Sequence, residues 1–284
     1  MYRKLELPTV SSHSGSDYMV VCDSIADYAE LGNKHHNVNH GMGDEWACGK
    51  QTPQEVYNSA MHGDMALVAE SDKLIAELED KVQFLSSSWR YRDSVVGGAV
   101  NIGAFTAGVP MCMKQRRRVA MDTAPLAIVV DLTISGGLSH DQIAKRGSAV
   151  LALVRLLSGV RPVDLHLAVC MGGTYAPSTG VVVHVDTQPL ELATVANAMS
   201  STGFVRWLGY GIAHWHKETD GNWPFRDVDA YRRLGRKYWE RFCGTLGGEL
   251  LFVPPAHYDD QMLSKPLAWL QAKLAEYGGV AVAE

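Results

Sequence analysis

The clearest pattern of hydrophobic and polar positions lies at residues 126–157, LAIVVDLTISGGLSHDQIAKRGSAVLALVRLL. An apolar, β-branched run at 126–130 reaches Asp131 and passes into a polar loop with Thr133, Ser135, Gly136 and Gly137. Apolar residues then recur at helical spacing, so the stretch predicts a buried strand, a loop and a helix. In open α/β sheets, ligands sit outside the carboxyl ends of the strands. Asp131, Thr133 and Ser135 are therefore placed where chemistry can happen.

Around this unit the pattern predicts further elements in order. Residues 1–17 are polar and Ser-rich and read as a loose arm; 17–31 fit a helix, or a short strand followed by a helix. The Gly/Asn/His-rich stretch 32–50 reads as an exposed loop. Thr52-Pro53-Gln54-Glu55 is a helix start, with Thr as N-cap, Pro in the first turn and Glu completing a capping box. That helix should break near Gly63 and resume with Leu67, Leu74, Ile75, Leu78, Val82 and Leu85 on one face. Residues 86–121, punctuated by Gly97, Gly98, Gly103, Gly108 and Pro110, read as irregular cover.

Beyond the central unit, strands are expected at 164–170 and 181–185, as a hairpin or an edge pair. Helices are expected at 189–199 and 202–213, then a polar loop at 214–225 and a helix at 227–246. A strand at 249–253 and a helix at 266–277 close the pattern. The expectation is an α/β protein with a three-layer, Rossmann-like core at 122–284 and a mainly helical N-terminal region with a Gly-rich connector at 1–121.

Composition narrows the function classes. With 284 residues and 46% hydrophobic content the chain can bury a sizeable core. A net charge of −5 argues against nucleic-acid binding through bulk charge, so any such contact must come from a local patch. The five cysteines are scattered and form no C-x-x-C pair, which fits reduced thiols. No apolar run approaches the roughly 18 residues of a membrane span, and the start lacks a signal-peptide core, so a cytoplasmic protein is expected.

Asp131-Leu132-Thr133-Ile134-Ser135 sets a carboxylate and two hydroxyls at alternate positions, an oxygen set suited to Mg²⁺. Thr133 and Ser135 could equally bond the turn and cap the helix. At this point the chain resembles the von Willebrand factor A (VWA) domain, whose metal site begins with D-x-S-x-S after the first core strand. The resemblance implies a Thr from a second loop, here Thr202 or Thr174, and an Asp from a third, here Asp220 in Thr219-Asp220-Gly221. It also implies capture of an acidic residue of a protein partner. The departure is that the family's T-D-G follows an apolar strand, whereas HWHKE precedes it here. Along its whole length, through TPQEVYNSAMHGDMALVAESDKLIAEL and VVGGAVNIGAFTAGVPMCM, the chain resembles an uncharacterised family of tailed-bacteriophage proteins. That resemblance implies a viral protein made in a bacterial host cytoplasm.

A basic and aromatic pattern adds a second candidate. Arg232, Arg233, Arg236, Lys237 and Arg241 alternate with Tyr231, Tyr238 and Trp239 on one expected helix, and Arg116, Arg117 and Arg118 form a second cluster. Cations beside aromatics suit single-stranded nucleic acid, which offers phosphates and unstacked bases; a solvated helix face is the plainer account. His35, His36, His40 and Cys48, or His214 and His216 with Glu218, lack the spacing of a zinc site. No phosphate loop, dinucleotide fingerprint or nucleophile elbow is present. The leading expectation is a non-enzymatic accessory protein that binds single-stranded nucleic acid in viral transcription or replication. The alternatives are a VWA-like interaction module with a divalent metal, and a metal-dependent hydrolase using Asp131 with His184, His214 or His216.

Overall fold

In a computed structural model the described residues are 2–7, 17–35, 43–79, 82–83, 89–118, 125–159, 161–173, 176–187, 190–220, 242, 244, 246, 248–257, 260–277 and 281–282. The chain opens with β1 (Tyr2–Leu7) and β2 (Asp17–Cys22), followed by α1 (Ile25–Lys34), α2 (Asp44–Cys48), α3 (Pro53–His62) and α4 (Ala66–Glu79). Short elements come next: β3 (Val82–Gln83), β4 (Trp89–Ser94), β5 (Ala99–Val100), α5 (Ile102–Thr106) and β6 (Met113–Arg118). The central unit is β7 (Leu126–Asp131) and α6 (His140–Ser158), leading to β8 (Val163–Gly173), β9 (Ala176–Val185) and α7 (Leu192–Ser200). A π-helical turn at Phe204–Leu208 runs into α8 (Gly209–Asp220). Then come β10 (Glu249–Val253), α9 (Gln261–Ser264), α10 (Pro266–Tyr277) and β11 (Ala281–Val282).

The fold is mixed α/β around a six-stranded sheet of order β1-β2-β9-β8-β7-β10. β2 runs parallel to β9, and β7 runs parallel to both β8 and β10. The β8–β9 hairpin is antiparallel, as is the β1–β2 pair. β2 and β9 therefore end at the opposite edge of the sheet from β7, β8 and β10. Every residue of β7 is buried, as a strand covered on both faces requires. Leu126, Ile128 and Val130 join the helices in the main core. Val129 points the other way, with Met19, Val21, Ala168, Val182 and the helical residue Phe242.

Local signals fix several helix starts. Thr52 and Glu55 form the expected capping box with Pro53 in the first turn, and Ser139 with Gln142 forms another at α6. Ser24 caps α1 by accepting the Asp27 amide. Where α1 crosses α8 the backbones nearly touch: a Cβ on Gly211 would lie 1.8 Å from the Gly32 carbonyl oxygen. That approach lets Tyr28 stack on Phe204 with ring centroids 4.7 Å apart.

Four expectations are corrected. Residues 2–7 are not a loose arm but a strand paired with β2, an arrangement supplied by a distant neighbour and not by local pattern. The expected loop at 32–50 contains α2, a single turn held by burial of Ala47 and Cys48. The expected irregular cover at 86–121 contains the three-stranded sheet β4-β6-β5, whose pairing is likewise non-local. The expected polar loop at 214–225 is helical as far as Asp220, where Trp215 packs against the core. The N-terminal region is also more than a helical extension, because β1 and β2 complete the main sheet and the sheet draws strands from both sides of residue 121.

Candidate functional site

The loop after β7 is built from below by two buried arginines. Asp131 has no exposed surface, and its Oδ1 accepts the Thr133 amide at 3.0 Å. Arg146, from α6, donates through Nη2 to the backbone oxygens of Asp131 and Pro254, and its Nε lies 3.8 Å from Asp260 Oδ2. Burial pulls the Arg146 guanidinium down, and the nearby Asp260 and Asp131 oppose that shift. Beyond Asp131, Ser135 N donates to Ala256 O and Ala256 N donates to Thr133 O, so the loop is zipped onto the chain leaving β10. Arg206, in the π turn, donates to the carbonyls of Trp46, Ser135, Gly136 and Leu138 at 3.0–3.3 Å. Its guanidinium sits 4.4 Å from the centre of the Trp46 ring, and Trp46 Nε1 also donates to Gly136 O.

These contacts test the Mg²⁺ expectation. A divalent cation needs an open set of oxygens. Here the carboxylate is fully buried, one oxygen serves a backbone amide, and a guanidinium shares its surroundings. The loop residues form a structural clasp. Thr133 and Ser135 are half-buried in the loop. Thr202 is buried at the start of the helix that carries the π turn, its hydroxyl 2.8 Å from His140 Nδ1. Asp220 ends α8, and Thr174 lies outside the described residues. His214 and His216 both sit on α8. Among the described residues, no group of three or more His, Cys, Asp or Glu side chains is placed to hold a metal.

The basic clusters divide differently. Arg232, Arg233, Arg236, Lys237, Trp239 and Arg241 lie outside the described residues. Arg116, Arg117 and Arg118 lie on β6, the central strand of the small sheet, antiparallel to β4. The register sets Arg118 opposite Trp89, Arg117 opposite Arg90, Arg116 opposite Tyr91, Gln115 opposite Arg92 and Lys114 opposite Asp93. Directly opposed residues fall on one face of an antiparallel ladder. Across these two strands Arg90, Arg92, Lys114, Arg116, Arg117 and Arg118 are answered by a single acid, Asp93. The alternation W-R-Y-R was available in the sequence; its partnership with K-Q-R-R-R was not.

At the opposite edge of the main sheet, where β2 and β9 end, lies a cleft of about 320 Å³. Asp23, Ser24, His184, Asp186 and Glu191 line it. His184 Nε2 is 2.9 Å from Asp164 Oδ1, and Asp164 Oδ2 lies 3.0 Å from Nε2 of His166. The His166 contact is close but misses hydrogen-bond geometry, and among the described residues its buried Nδ1 has no hydrogen-bond partner. His166 also packs edge-on against Phe242. The D-x-H spacing of Asp164 and His166 places both on one face of a strand, the signal that could have exposed this network. The cleft is acidic, and the Ser24 hydroxyl in it serves the α1 cap and Asp27.

A family profile described as a domain of unknown function, DUF7192, matches residues 9–238, a stretch that holds the clasped loop, the basic ladder and the cleft. The chain belongs to the DUF7192 family. No curated protein and no solved structure matches it.

The His–Asp–His network gives this DUF7192 chain an acid-sensitive joint. Burial holds His166 below its ordinary value of 6.5 despite Asp164. Burial works to raise Asp164, but His166 and His184 outweigh it and hold the carboxyl below 3.8. Both folded-state values are depressed, so the unfolded chain binds these protons first as pH falls. Stability is expected to decline as pH drops below about 6.5 through His166, and again below about 3.8 through Asp164. Urea midpoints measured against pH check this: His166→Leu should flatten the decline that sets in below about pH 6.5. An unchanged slope in that variant would show that His166 does not set the acid limb.

Proposed function

We propose that this DUF7192 chain is a non-enzymatic accessory protein that binds single-stranded nucleic acid through the β4–β6 ladder. The phage-family resemblance suggests that it acts in viral transcription or replication. The observation that carries the reading is the register that brings Trp89-Arg90-Tyr91-Arg92 alongside Gln115-Arg116-Arg117-Arg118. Cations spaced along a strand track phosphates, and aromatics between them stack on bases with little regard to sequence. The overall charge of −5 makes this local stripe the more selective, since the surface elsewhere repels a polyanion. Among the described residues, no helix is long and apolar enough to cross a membrane.

The test is fluorescence anisotropy of a labelled oligo(dT) across a salt series. Binding should weaken linearly on a log–log plot, with a slope of about −0.7 per phosphate neutralised. Absence of binding at low salt would remove the reading.

A further inference from the structure

Loop 101–112, which joins β5 to β6, presents an unusual surface. Apart from Met65, every large exposed hydrophobic among the described residues lies between Val95 and Met111. Ile102 is 74% exposed, Phe105 66%, Met111 55% and Val109 46%. The loop is nevertheless ordered by its own backbone. Asn101 N donates to Cys112 O at 2.7 Å and closes the neck, Asn101 Oδ1 accepts the Ala104 amide, and Val109 N donates to Ala104 O. Gly108, at φ 68°, makes the left-handed turn that folds the tip back. Ile102 and Phe105 are three apart on α5 and so share a face.

Isolated exposed apolar residues need no explanation, but a group of them on one loop points to a contact surface. The loop emerges from the ladder itself: Ala99 pairs with Lys114 and Val100 with Met113, next to the cationic register. Two copies meeting tip to tip would bring two cationic stripes together, which disfavours self-association through this face. An anionic partner with apolar faces fits both features. The ladder also carries Trp89 and Tyr91 among its cations, which suits bases.

Resting on the reading of the ladder as a nucleic-acid track, we propose that loop 101–112 is a wedge that lays Ile102 and Phe105 against an unstacked base of the bound strand. A single strand offers such a face at the least cost, since parting bases in a duplex also disturbs its pairing. Apolar side chains are used in this way to part adjacent bases. The wedge predicts a preference for single strands over duplex, which charge alone does not provide.

The experiment compares the wild-type chain with the Ile102→Ser/Phe105→Ser variant, whose exposed positions should leave its thermal melt unchanged. An oligo(dA) carrying one 2-aminopurine is titrated at several salt concentrations. With the wild type, 2-aminopurine fluorescence should rise as its base leaves the stack. In the variant the rise should vanish and affinity should fall about tenfold, with the salt slope unchanged. Variant binding equal to wild type in affinity and fluorescence overturns the wedge and leaves the ladder reading standing. Failure of the wild type to bind any strand at low salt overturns both. Flotation with phosphatidylserine vesicles that the variant loses would assign the loop to lipid and also overturn the wedge.

Discussion

Arg206→Ala should cost about 2–4 kcal/mol of folding stability, since it removes a guanidinium's hydrogen bonds to four carbonyls together with its packed stem. The side chain is 4% exposed and reaches four carbonyl oxygens from two separate segments, α2 and the loop after β7. Alanine leaves the buried Leu138 oxygen without its donor and the Trp46, Ser135 and Gly136 oxygens to partial solvation. It also removes the cation from the Trp46 ring and the stem that fills the gap. Against a typical total of about 5–15 kcal/mol, such a loss approaches unfolding at physiological temperature. Arg206→Met keeps the stem and loses the fork, so it should be nearly as harmful, while Arg206→Lys should fall between. Guanidinium midpoints at constant slope measure all three. A loss below about 1 kcal/mol for the alanine variant would mean that the loop holds its shape without the arginine.

Reversing Arg116, Arg117 and Arg118 together to Glu should weaken binding to oligo(dT) about a hundredfold or more at low salt and reduce the magnitude of the salt slope by about two. These cations sit on the central strand of the small sheet, opposite Trp89, Arg90 and Tyr91, so the two strands lose half of their six cations at once. Like charges directly opposed across a ladder cost stability, so Glu opposite Arg90 should not unfold the sheet, and circular dichroism checks this. A variant that binds with the wild-type slope would place the phosphate contacts elsewhere.

How much of this was legible in the sequence depends on the range of the interaction. The β7 strand, α6, the Thr52 capping box, β10 and α10 follow from short patterns, and the structure has them within a residue or two. The polar loop DLTISGG was legible as the carboxyl end of a core strand. Its role was not: the Arg146 and Arg206 that clasp it come from 15 and about 70 residues away, where no local pattern points to them. Burial of Asp131 was not legible either, since it is a property of the packed neighbours. The same limit hid β1 and the β4–β6 pairing, which need partners remote in the chain. His184 was noticed as a base without its partner, because Asp164 and His166 read as part of a buried apolar strand.

The most direct measurement of the central claim is ultraviolet crosslinking of the intact chain to an oligo(dT), followed by mapping of the crosslinked peptides by mass spectrometry. Crosslinks at residues 89–94 and 113–118 are the predicted result, with Trp89 and Tyr91 the favoured positions. Crosslinks confined to 231–241, the other basic and aromatic stretch, would contradict the account.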